Sequence, residues 1–145
     1  MEEKKVVVDA SVVAKWFLEE KFSSKALELR NDYIRGLIRI VAPSLLEFEV
    51  LNALKYSGVY NVDELEEIGV SLNKYGFELY ELESVLKELT IKIAFEHNVT
   101  IYDASYVALA QHLNTVLYTA DNELVQKFPK TAIHVGSYVS TAART

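Results

Sequence analysis

The chain has 145 residues, half of them hydrophobic, with no cysteine and a net charge of -6. That length predicts one domain over 1–145 with a core of two or three layers, and the missing cysteines exclude disulfides, thiolate metal sites and a thiol nucleophile. The acidic balance argues against a protein that grips nucleic acid by charge alone; the missing cysteines fit a cytoplasmic location, and no apolar stretch reaches the roughly 20 residues that span a bilayer, so no membrane contact is expected.

Residues 6–8 form a β-branched run, a candidate buried central strand that stops at Asp9. Over 11–20 the apolar Val12, Val13, Trp16 and Phe17 follow helical spacing, which puts Trp16 and Phe17 in a core stripe. A second helix is expected over 23–35, closing near Gly36, then a short strand over 37–42 stopped by Pro43. A third helix runs from 45 to 56. Val62, Leu65, Ile68 and Leu72 space a fourth, whose stripe serves either as core or as a groove for a partner helix. A strand over 77–82 and a long helix over 84–97 follow, and 99–102 fits a short strand or a loop. The rest predicts a helix over 102–113, a strand over 115–119, a short helix over 122–128 and a last strand over 132–135. Strands alternating with helices require crossovers, so the expected fold class is α/β: a three-layer α/β/α domain on a central parallel sheet.

In such a sheet functional groups gather beyond the carboxyl ends of the strands. Asp9 and Asp121 directly follow predicted strands, and Asp103 opens a helix after the 99–102 segment. Each alone has a plain structural reading, because Asp is a preferred helix N-cap. Three acids on one edge are different, since crowded carboxylates disfavour one another's charge. A hard divalent cation, Mg2+ or Mn2+, removes that objection. The same crowding predicts a raised pKa for at least one of these acids, with Asp103 as the candidate.

The helix after Pro43 offers a fourth acid, either Glu47 or Glu49. Ser44 and Glu47 have capping-box spacing, which gives Glu47 a structural task at the helix start. Glu49 falls at the margin of the apolar face with Asn52 and Tyr56 beside it, and is the functional candidate. His97, His112 and His134 lack a second His or Cys at ligand spacing and are read as ordinary. Lys15, Lys55 and Arg39 are candidate phosphate contacts, with solvated surface charge as the plainer reading.

Four segments in order, VVVDASVVAKWF, APSLLEFEVLNALKY, IYDASYVALA and LYTADNEL, resemble the PIN-domain ribonucleases, and most closely the VapC toxins of VapBC toxin–antitoxin pairs. The resemblance implies that Asp9 and Asp103 are the principal metal ligands, while Glu49 and Asp121 complete the site. It also implies that Ser11 and Thr119 steady the loops, and that the chain is a homodimer partnered by a VapB-like antitoxin. The implied reaction is Mg2+- or Mn2+-dependent hydrolysis of RNA by water, leaving a 5′-phosphate and a 3′-hydroxyl.

Two rivals stay open, and a third fits poorly. An RNA-processing nuclease without an antitoxin would share every site residue, and a non-catalytic PIN-like binding module would share the fold. A phosphoacceptor receiver domain would need adjacent acids after one strand and a Lys after a late strand, yet no Lys follows Thr119 before Lys127.

Overall fold

A computed structural model of the chain describes residues 4–140. The expected unit of 1–145 therefore includes short ends outside the described residues. Five strands, β1 (Lys4–Val8), β2 (Ile38–Pro43), β3 (Glu78–Tyr80), β4 (Leu117–Thr119) and β5 (Ala132–His134), form one sheet in the order β3-β2-β1-β4-β5. Every pairing is parallel, with Val7 opposite both Val41 and Leu117. The central strand β1 carries Val6, Val7 and Val8, all buried, as a strand covered on both faces must.

Seven helices connect and cover the sheet: α1 (Ala10–Ala14), α2 (Ser23–Ile34), α3 (Leu46–Ser57), α4 (Val62–Lys74), α5 (Ser84–His97), α6 (Ile101–His112) and α7 (Asn122–Lys127). Parallel crossovers are right-handed. The chain steps from β1 to β2 to β3 in one direction, then returns past β1 to β4 and β5. So α1–α4 cover one face and α5–α7 the other, the expected three layers. In α6 every residue from Ala104 to Ala110 is buried, because α5 lies over the helix and the sheet lies beneath it. The opposite face is sealed by aromatics: Trp16 lies 5.1 Å from Tyr75, which stacks on Phe77 at 5.6 Å, and the Trp16 indole donates to Ala26 O at 2.9 Å.

Several expected boundaries move. The helix over 11–20 ends at Ala14, because the chain turns to bring Trp16 inward. Ser23 holds that turn by donating to Leu18 O at 2.7 Å and accepting from Glu20 N at 3.0 Å. Residues 99–100 are a loop: Asn98 caps α5 at φ 51°, and Thr100 caps α6 by accepting from Asp103 N at 3.0 Å. The stripe of α4 divides, with Ile68 and Leu72 in the core, Leu65 half-buried and Val62 exposed. Past β5, a 3-10 turn at Val135–Ser137 brings Tyr138 and Ser140 back to α2, where both donate to the buried Asp32 at 2.5 and 2.7 Å.

Candidate active site

The crossovers leave β1 and β4 in opposite directions, so a crevice opens between their carboxyl ends, where open parallel sheets bind ligands. Asp9 and Asp121 stand at the two sides of that opening. Asp9 caps α1, its Oδ1 accepting from Ser11 N at 3.1 Å and from the Ser11 hydroxyl at 2.5 Å. Asp121 caps α7 by accepting from Glu123 N at 2.9 Å. Ser11 and Thr119 join the two loops: Ser11 Oγ accepts from Ala120 N at 2.9 Å, and Thr119 Oγ1 from Asp121 N at 3.1 Å.

Asp103 arrives differently from the expectation. It does not follow a strand and does not cap its helix; it sits in the first turn of α6, whose cap is Thr100. Its carboxylate is thus free of capping duty. Glu49 comes from the first half of α3, and its Oε1 accepts from the Tyr106 hydroxyl at 2.7 Å. Sequence reasoning missed Tyr106, although its spacing of three from Asp103 on one helix was a signal that both share a face. The Ser44–Glu47 capping box is also absent: α3 starts at Leu46 with no side-chain cap, and Ser44 instead donates to Glu81 at 3.2 Å. The case for Glu49 therefore rests on Tyr106 and the crevice, not on excusing Glu47.

Burial, before mutual repulsion, perturbs these acids. It pushes Asp9 up to about 6, against the lowering pull of the Ser11 and Thr119 hydroxyls and the Val12 amide, with the Asp103 charge adding a little. Burial raises Glu49 as well, with the Tyr106 bond opposing and Asp103 adding. Asp103 is raised by burial and then by the charges of Asp121 and Glu123. The Tyr106 phenol is held far above its ordinary value by burial and by Glu49, so it stays a donor. The rise expected for Asp103 is therefore present, with neighbouring charges contributing to it, and Asp9 and Glu49 are raised as well, Asp9 by the most.

Among the described residues no Lys or Arg forms an ion pair with Asp9, Glu49, Asp103 or Asp121. Nor does any group of three or more acids or histidines converge closely enough to grip a metal unaided. The donors these acids offer are all oxygens, the ligand type that a hard cation such as Mg2+ takes while keeping several of its waters. The basic candidates are engaged elsewhere: Lys15 is buried against Glu20 at 3.0 Å, Arg39 pairs with Glu78, and Lys55 lies 4.7 Å from the Tyr56 ring centre. Of the histidines, His97 packs on Phe128 and His134 accepts from Gly136 N.

The PIN domain profile matches residues 6–130. Ribonuclease VapC3 of Pyrobaculum aerophilum is 32% identical over 130 residues, covering 86% of this chain and 95% of that protein. The crystal structure of PAE2754 from the same organism superposes with a TM-score of 0.63 at 30% identity, over 91% of this chain and 90% of that one. A toxin–antitoxin complex from Klebsiella pneumoniae shares the fold with a TM-score of 0.65 at 15% identity, over 90% and 97% of the two chains. With the profile covering most of the chain and a relative matched almost end to end, the chain belongs to the PIN-domain family and is a VapC-like member of it.

Proposed function

We propose that this chain is a Mg2+- or Mn2+-dependent ribonuclease acting as the toxin of a toxin–antitoxin pair. The observation that carries the reading is the set of desolvated carboxylates without a basic partner at the sheet's switch point. Asp9 and Asp103 would hold the cation, with Glu49 and Asp121 completing its surroundings. When bound, the cation supplies the positive charge that offsets the acids and the phosphate and makes a nearby water more acidic. Ser11 holds Asp9 by its Oδ1, and the Thr119 hydroxyl and Val12 amide add to that hold. Tyr106 anchors Glu49 by its Oε1, and the carboxylate so held would accept the proton of the attacking water. A carboxylate whose pKa is raised by burial suits that task near neutral pH. The water oxygen bonds to phosphorus as its proton passes to Glu49, the bond to the 3′ oxygen breaks, and that oxygen leaves as an alkoxide that takes a proton from solvent.

The names of the relatives, a ribonuclease and a toxin–antitoxin complex, support the RNA substrate and a VapB-like antitoxin. A homodimer fits the apolar side chains left bare on α4 and α5, Val62 and Phe95 among them. Among the described residues no helix is long and apolar enough to cross a membrane. Cleavage of mixed single-stranded RNA should require Mg2+ or Mn2+ and stop in EDTA, and undiminished cleavage in chelator overturns the reading. Glu49→Gln should lower kcat roughly 10²- to 10⁴-fold, the usual worth of a positioned proton acceptor, whereas Glu47→Gln should cut at about the wild-type rate. RNA cleavage by a monomer that is harmless on expression would favour a processing nuclease without an antitoxin.

A further inference from the structure

A cavity of about 550 Å³ opens beside the acids, lined by Leu45, Phe48, Glu49, Asn52 and Tyr102. Phe48 directly precedes Glu49 on α3, and Tyr102 directly precedes Asp103 on α6. Neighbouring helix residues diverge by about 100°, so each helix that turns an acid toward the crevice sets an aromatic ring at its rim. Both rings are bare, Phe48 at 79% and Tyr102 at 61% exposure. Among the described residues neither packs on another ring of the chain. Phe95 is equally bare, but no site acid stands beside it. Tyr102 also walls a second, more apolar recess of about 210 Å³ with Ile101 and Leu86.

Resting on the ribonuclease reading, we propose that the cavity between Phe48 and Tyr102 holds one unpaired base of the RNA, next to the nucleotide being cut. Electrostatics favour a grip of this kind. The net charge is -6, and two of the three basic candidates for phosphate contact, Lys15 and Arg39, are committed to acids. Stacking of bases on aromatic rings carries no charge and is how unpaired RNA is commonly held. Asn52, exposed one turn beyond Phe48, offers both an amide donor and a carbonyl acceptor to the edge of the stacked base. Glu49 closes the cavity on the side of the chemistry, so a base seated there brings its own phosphodiester toward the acids.

The test is binding of a labelled single-stranded RNA octamer in EDTA, where the full-length wild-type protein does not cut. Phe48→Ala and Tyr102→Ala should each weaken binding roughly 5- to 150-fold, the range for one stacked base. The ring-keeping variants Phe48→Tyr and Tyr102→Phe should bind as wild type. A single abasic position walked along the octamer should cost wild type affinity at one place and cost Tyr102→Ala nothing there. Wild-type binding by both alanine variants overturns the inference, as does an abasic cost spread evenly along the strand. A fall from dimer to monomer in either alanine variant, seen by light scattering, also overturns it by making the cavity an interface between copies. Because binding is read without metal, a wild type that binds this way yet cuts nothing in Mg2+ sinks the ribonuclease reading and leaves the base site standing.

Discussion

Asp9 is the site acid that burial affects most, and among the described residues no Lys or Arg pairs with it to repay the lost water. A folded-state pKa lifted from 3.8 to about 6 amounts to about 3 kcal/mol of differential stability. The folded chain holds that proton more tightly than the unfolded one, so the contribution is fully present below pH 3.8 and is lost as pH rises through about 6. Asp9→Asn keeps an oxygen for the Ser11 amide but cannot ionise. In EDTA its urea-unfolding stability should match wild type near pH 3.5 and exceed it by up to about 3 kcal/mol at pH 7. Mg2+ should raise the stability of wild type and leave the variant where it was. A variant less stable than wild type at pH 7 in EDTA would mean the carboxylate is a helix cap and nothing more. Asp9 and Asp121 were legible in the sequence because each ends a β-branched or apolar run. Tyr106 was not, because inside IYDASYVALA a phenol passes for core until its hydroxyl is seen to reach Glu49 on another helix.

At the scale of elements, helices with a strong local signal fell where expected: α5 spans 84–97 and α2 ends one residue short of the forecast. Failures came where a distant partner outbid a local one. Ser44 had the spacing of a cap, but Glu81 lies within its reach and α3 begins uncapped. The strand expected over 115–119 starts only at Leu117, because the Thr115 hydroxyl donates to Lys5 O at 2.6 Å. The tie between α2 and the last described residues was equally invisible, since Asp32 and Tyr138 are 106 positions apart. Asp32 is 1% exposed and receives both of its side-chain donors from that segment. Tyr138→Phe strips one donor from a buried carboxylate and should cost about 1–3 kcal/mol in urea unfolding. In the background Asp32→Asn the same change should cost distinctly less, because the charge that needs the donor is gone. Equal losses in both backgrounds would show that Tyr138 acts only by packing against Tyr118, 5.2 Å away between ring centres.

For the molecule as a whole, strand order decides where acids distant in sequence meet. The reversal of winding between β1 and β4 gathers Asp9 and Asp121 from opposite ends of the chain, while α3 and α6 lean in from the two covering layers with Glu49 and Asp103. Alternating elements made the parallel sheet legible in advance; the tilt that lets Tyr106 touch Glu49 across layers depended on packing that no local pattern encodes. The Ser11 hydroxyl, wedged between the two loops at the mouth of the crevice, has a consequence for the timescale on which that mouth opens. The Ala120 amide lies beyond the end of β4, and its donation goes to Ser11 Oγ, not to a neighbouring strand. Its exchange with deuterated solvent therefore clocks the separation of the two loops and not the melting of the sheet. In Ser11→Ala that amide should exchange many-fold faster while Val7, bonded to Val116 O within the sheet, keeps its wild-type rate. Uniform acceleration of both amides would instead mean that the two loops open only when the whole sheet does.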